Sequence, residues 1–171
     1  DLLSGPDTCQ VCCPIRIATD RGVGPSDPVV ADVVVGANGY WGDSAETHVR
    51  GSNPEVEEVR AALLDVLEQA RAELIPGNTG REIYRSMAAR IAEAVPGAEF
   101  PHHGGHALGL TAFEDPHLIP ADDTPLESWM VIAVEPGAYL PGRFGARVEN
   151  VCLVTPGGGV ELRDAMGVAR G

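Results

Sequence analysis

Val29-Val30-Ala31-Asp32-Val33-Val34-Val35-Gly36-Ala37-Asn38-Gly39-Tyr40-Trp41-Gly42-Asp43 sets one carboxylate inside a β-branched run and a second just beyond a turn. The run predicts a strand over residues 29–35. Gly36-Ala37-Asn38-Gly39 reads as a turn and residues 40–49 as the returning strand of a hairpin. A strand of this composition reads as buried, and a buried, unpaired carboxylate carries an effective penalty of several kcal/mol. The same conflict recurs twice. Glu135 follows Met130-Val131-Ile132-Ala133-Val134, and Glu149 lies in Ala146-Arg147-Val148-Glu149-Asn150-Val151. An arginine beside any one of them resolves that one, and Arg147 can serve. Too few cations lie in these strands to resolve them all. Asp32, Asp43, Glu135 and Glu149 together carry about −4, which two divalent cations balance. His106, set among glycines in Gly104-Gly105-His106-Ala107-Leu108-Gly109, adds an imidazole where the backbone comes close. Oxygen-rich ligation with one nitrogen suits Mn, Co or Fe, and Zn less well.

Outward from the hairpin, Asn53-Pro54 opens a helix over residues 55–74. Its apolar stripe recurs at three and four: Val56, Val59, Leu63, Val66, Leu67, Ala70 and Leu74. Pro76-Gly77-Asn78 breaks it. Thr79 then caps a second helix, with Glu82 completing a capping box, and Ile83, Met87, Ile91 and Val95 form its buried face. Pro96-Gly97 ends that helix. Strands are predicted at 130–134 and 146–155, with a short one at 160–163. A hairpin, two helices and further antiparallel strands make an α+β domain in which helices cover one face of a curved sheet.

The 171 residues fit a single domain, 1–171, and 44% hydrophobic against 5% aromatic content points to an aliphatic core. A formal charge of −13 argues against nucleic acid, which needs a basic face. All 12 basic residues are arginine, which excludes a P-loop lysine or a lysine Schiff base in this chain. No apolar run reaches the length of a membrane span. Cys9, Cys12, Cys13 and Cys152 form no disulfide framework in a chain of this length. The cysteines near the start read as ordinary loop thiols and Cys152 as buried, which suits a cytoplasmic home.

Five short segments resemble one family, the pita-bread metallohydrolases, which include methionine aminopeptidase, aminopeptidase P and prolidase. Asp32 and Asp43, eleven residues apart, are similar to its first aspartate pair. Gly105-His106-Ala107-Leu108-Gly109-Leu110 resembles its Gly-His-Gly-Leu-Gly-Leu turn, and Val134-Glu135-Pro136-Gly137-Ala138-Tyr139 its Glu-Pro-Gly-x-Tyr. Gly145-Ala146-Arg147-Val148-Glu149-Asn150 resembles Gly-x-Arg-x-Glu-Asp, and Val154-Thr155 follows in place. The resemblance implies a pita-bread fold and two divalent metals held by Asp32, Asp43, His106, Glu135 and Glu149. Asp43 and Glu149 would bridge the metals, Asp32 would bind one, and His106 with Glu135 the other. It further implies a metal-activated water attacking an amide carbonyl, with Glu135 and His106 catalytic and Glu135 handling protons.

Two positions depart from the family pattern. Its peptidases carry a histidine before Glu-x-Pro, where Phe113-Glu114-Asp115-Pro116 has Phe113. They carry another seventeen residues before the first aspartate, where this chain has Ile15. In the family these histidines contact the substrate carbonyl and the tetrahedral intermediate. Loss of one such donor lowers a rate on the order of a hundred- to a thousand-fold. His102, His103 and His117 are candidates to take over, and His102, His103, Phe113 and Arg147 are the expected substrate contacts. Arg147 pairs with either a ligand carboxylate or an acid group of the substrate. Tyr139 and Trp41 read as packing residues. Helices that usually open the family domain are missing, so a further segment, another chain or a second copy is expected to complete it, as a homo- or hetero-oligomer. Three functions compete: an aminopeptidase P or prolidase-type hydrolase of short peptides, a repurposed metal-dependent hydrolase or lyase of a small non-peptide substrate, and a non-catalytic subunit.

Overall fold

In the computed structural model, which describes residues 2–10 and 20–165, the chain opens with β1 (Leu2–Ser4) and a 3-10 turn (Gly5–Cys9). Cys12, Cys13 and Ile15 lie outside the described residues, and Cys9 donates its thiol to the Pro6 carbonyl. The hairpin follows as β2 (Pro28–Ala37) and β3 (Tyr40–Val49), paired without a break from Pro28 opposite Val49 to Ala37 opposite Tyr40. Only Asn38 and Gly39 remain for the turn, at φ 53° and 86°. A two-residue type I′ turn needs positive φ at both positions, and Asn-Gly supplies it with least strain.

Residues opposite one another in this ladder share a face, so Val30, Asp32, Val34, Asp43, Ala45 and Thr47 point one way. At the base Val30, Ala45 and Thr47 are buried, and toward the tip the carboxylates take over. The opposite face carries Val33, Val35 and Tyr40, all exposed. The buried reading of the valine run therefore fails at residues 33–35. The hairpin tip meets the body through the Trp41 N–H, which donates to the Gly109 carbonyl, and its outer side is exposed.

Next come the two helices. Asn53 caps α1 (Pro54–Ala72), its side chain accepting from the Val56 N–H, and Thr79 with Glu82 forms the capping box of α2 (Gly80–Ala94). Their apolar stripes meet the strands that follow: β4 (Gly105–Ala107), β5 (Glu114–His117), β6 (Val131–Val134), β7 (Gly137–Leu140), β8 (Phe144–Arg147), β9 (Asn150–Leu153) and β10 (Val160–Glu161). A last helical turn, α3 (Leu162–Ala165), stands where the final strand was expected to continue. Leu63, Leu67, Ile83, Met87 and Ile91 from the helices share one core with Ile132, Val134, Ala146 and Cys152. Among the described residues no helix is long and apolar enough to cross a membrane.

The antiparallel sheet is present as three ladders, in the orders β1-β2-β3, β10-β9-β6-β4-β5 and β7-β8. The expected strand over 146–155 is two strands in two different ladders. Between them the Val148 N–H donates to the Pro136 carbonyl, carrying the β7–β8 pairing one residue further, and from Asn150 the chain pairs with β6 instead. Gly105 marks the closest backbone approach: at φ +147°, an added Cβ would lie 1.9 Å from the Ala133 carbonyl oxygen. Only glycine lets β4 settle against β6 there, and that contact fixes His106, the next residue.

Candidate metal centre

Two parts of the fold supply the acidic groups. Asp32 and Asp43 project from facing strands of the hairpin, and Glu135 and Glu149 emerge where β6 ends and where β8 gives way to β9. The Glu135 N–H donates to the Gly104 carbonyl at 2.9 Å, which ties that strand end to the His106 turn. The result is one cavity of about 260 Å³. Asp32, Asp43, His106, Glu135 and Glu149 all line it, with Arg147, His103, Phe113 and Val34 between them. Donor atoms of Asp43, His106 and Glu149 lie within 4.8 Å of one another.

Charge in this cavity is unbalanced. Arg147 is its one guanidinium among the described residues, 2.7 Å from Asp32 Oδ2 and 3.6 Å from Glu135 Oε2. Mutual hydrogen bonds of 2.8 Å between Thr47 Oγ1 and the Arg147 backbone hold that arginine against the hairpin. Burial pushes the Asp32 carboxyl up, and Arg147 only partly offsets it. Burial also pushes Glu149 up, to about 10, with the Glu135, Asp43 and Asp32 charges adding to the rise. Glu135 goes the other way: burial raises it, but the His103 ring 3.1 Å from Oε1, His102 and Arg147 together hold it below the usual carboxylate range. A buried carboxyl forced to keep its proton beside three others marks a place short of positive charge.

The residues present fit a divalent cation on two further counts. Among the described residues, Asp43 Oδ1 and Glu149 Oε1 are buried without a hydrogen-bond partner, which native interiors rarely tolerate. His106 Nδ1 lies 2.9 Å from the Ala107 carbonyl and must donate to it. The Nε2 lone pair is then left facing Asp43 and Glu135, at 3.6 and 3.8 Å. A backbone acceptor fixing the tautomer in this way is the usual support for a metal-binding imidazole.

The expected substrate contacts divide. His103 and Phe113 line the cavity, and Phe113 packs on the His106 ring with centroids 4.3 Å apart. Arg147 lines it too, but its guanidinium is engaged with Asp32 and Glu135. His102 does not reach the cavity wall. Its Nδ1 donates to the His103 carbonyl and its Nε2 accepts from Tyr139 Oη at 3.0 Å, so the ring stands behind Glu135. Burial pushes its pKa down to about 4, and the ring is neutral at pH 7. His117 turns to Asp115 at 3.0 Å instead of entering the cavity. Trp41 is exposed and Tyr139 buried, so only the second packs as read. Val34 was not singled out from the sequence, although a strand period of two puts it on the same face as Asp32.

The model of metallopeptidase family M24 matches residues 2–156. The chain belongs to that family. This M24 chain is 32% identical over 148 residues to a probable dipeptidase PepE of Mycobacterium bovis, a match covering 85% of the chain and 40% of that protein. It is 34% identical over 150 residues to an Xaa-Pro dipeptidase of Pyrococcus furiosus, covering 87% and 43%. The solved X-Pro aminopeptidase of Thermotoga maritima superposes with a TM-score of 0.86 at 29% identity, over 99% of this chain and 46% of that one. The α+β arrangement is thus the pita-bread fold of the M24 family, and the chain spans under half the length of these relatives.

Proposed function

We propose that this M24 chain forms the metal centre of a dinuclear hydrolase that cleaves an amide bond in a short peptide, of the Xaa-Pro dipeptidase kind. One observation carries the reading: Asp43 Oδ1 and Glu149 Oε1 are buried beside His106, and among the described residues neither has a hydrogen-bond donor. Asp32, Asp43, His106, Glu135 and Glu149 would hold the metal ions. When bound, divalent ions supply Lewis acidity that polarises a carbonyl and lowers the pKa of water.

The chain's own groups do the rest. Arg147 fixes the Asp32 carboxylate and balances part of the local charge. Glu135, ionised at neutral pH, offers Oε1 as the acceptor for a proton on its way to the leaving nitrogen. His102 and Tyr139 brace Glu135 from behind. The small cavity, just under the roughly 300–1,000 Å³ of ordinary ligand pockets, suits a short substrate.

The test is metal analysis of Mn-incubated protein, run alongside an Xaa-Pro dipeptide assay with Mn or Co. The expected result is two equivalents of bound metal, hydrolysis, and loss of both in Asp43→Asn. Metal well below one equivalent would sink the proposal. A second reading, action on a small non-peptide substrate, is favoured by Phe113, which brings no imidazole to the site. Restoring a histidine by Phe113→His separates the two. A rise in peptide turnover supports the peptidase reading, and metal binding without any peptide cleavage supports the other.

A further inference from the structure

We infer that Phe113 and Val34 form an apolar wall that selects substrates bearing a bulky apolar group beside the reacting carbonyl, with Phe113 as the main specificity-determining residue. The inference rests on the metal-centre reading above. Among the described residues that line the cavity, the others are charged or imidazole groups and only these two are apolar. Both are open to solvent, Phe113 at 56% and Val34 at 40%. They enter from different elements. Val34 sits opposite Asp43 in the β2–β3 ladder, and Phe113 rests on the His106 ring. An apolar group held against the metal centre would therefore be covered from two directions.

The Phe113 ring is also positioned in advance. The Gly109 N–H donates to the Thr111 carbonyl at 3.1 Å, the Thr111 N–H to Glu114 Oε1 at 2.9 Å, and Thr111 Oγ1 to the Phe113 carbonyl at 2.7 Å. These bonds tie the loop that presents the ring. The Trp41 N–H, donating to the Gly109 carbonyl at 2.8 Å, ties that loop to the hairpin carrying Val34. A preformed wall loses little conformational freedom when a ligand covers it, so burial of the ligand's apolar surface appears as affinity. Phenylalanine donates no hydrogen bond to an oxyanion. What it offers at this place is apolar contact, and discrimination by contact falls on the size of the neighbouring group.

Two hydroxamates test this, because each chelates metal through the same head and they differ by a phenyl ring. Binding of acetohydroxamate and phenylacetohydroxamate to the intact, Mn-loaded protein is measured by calorimetry. The phenyl compound should bind about tenfold tighter or more, as expected for a ring taken out of water. In Phe113→Ala that ratio should fall below about threefold, and Val34→Ala should lower it by less. Equal affinities in the unaltered protein, or a ratio untouched by both substitutions, would overturn the wall. Failure of acetohydroxamate to bind the Mn-loaded protein at all would remove the metal centre, and this inference with it. Phe113 lies on the surface, so its replacement leaves the core intact, and circular dichroism verifies folding.

Discussion

Glu149 concentrates the electrostatic problem of the site. Without metal its carboxyl keeps a proton at neutral pH, because burial and three neighbouring carboxylates oppose the charge. In the unfolded chain the same group ionises above its ordinary value of 4.5. Between there and about 10 the native state therefore binds one proton more than the unfolded state, and stability must fall as pH rises. His106 pulls in the same direction above its ordinary 6.5. Burial works to lower its pKa, but the nearby Asp43 carboxylate, the Ala107 carbonyl and the Glu135 charge raise it overall. His102 and Glu135, both shifted downward, exert their effects at lower pH, and Glu149 acts across the whole range from pH 7 to 9. Metal-free protein should thus lose up to about 1.4 kcal/mol per pH unit for the Glu149 proton across that range. Glu149→Gln, which cannot ionise, should flatten the slope. Urea titrations of both proteins at pH 7, 8 and 9 check this, and parallel slopes would show that Glu149 holds no proton. Mn added at pH 7.5 should expel the proton, seen as net acid release in a weakly buffered titration.

Among the elements, those governed by local chemistry were the ones legible in the sequence. Asn38-Gly39 announces its turn, and the stripes of Val56 to Leu74 and Ile83 to Val95 announce both helices. The Thr79–Glu82 capping box is present as read. Thr79→Ala should therefore lower stability by about 1 kcal/mol in urea titrations while leaving metal content unchanged. An effect well above about 2 kcal/mol would mean that Thr79 serves more than its helix. The strands around the site were less legible because tertiary contacts define them. Residues 146–155 are apolar enough for one strand, but the chain changes partner from β7 to β6 between Val148 and Asn150, which divides it. β4 and β5 are short and largely lack apolar alternation; β4 pairs with β6, and β5 pairs with β4. Asp32, Glu135 and Glu149 stood out as charges in apolar runs, whereas Asp43, beyond the turn, was marked by the likeness to the family's first aspartate pair. The Thr47–Arg147 clamp joins residues 100 apart, with no local pattern to reveal it.

At the scale of the whole molecule, the cavity joins two pieces of the fold that hold each other through few other polar links. The hairpin brings Asp32 and Asp43, and the helix-backed body brings His106, Glu135 and Glu149. Between them run the Thr47–Arg147 bonds, the Arg147–Asp32 ion pair and the Trp41–Gly109 bond. Across that junction the Asp32, Asp43 and Glu135 charges oppose one another and the ionisation of Glu149, in a chain of formal charge −13. Cations bound there would act as a staple. By mass action a ligand at a hundred times its Kd stabilises the native state by about 2.7 kcal/mol per site. Mn should therefore raise the thermal midpoint and slow amide exchange in β2 and β3 more than in α1 and α2, whose core is complete without it. Chelator should reverse both effects. Sodium chloride at matched ionic strength separates this from simple screening, which weakens repulsion everywhere and favours no one element. Asp43→Asn should abolish the Mn response while keeping the salt response. If Mn and salt protect the hairpin equally, the carboxylates share no ion, and their meeting in one cavity must be explained by Arg147 and retained protons alone.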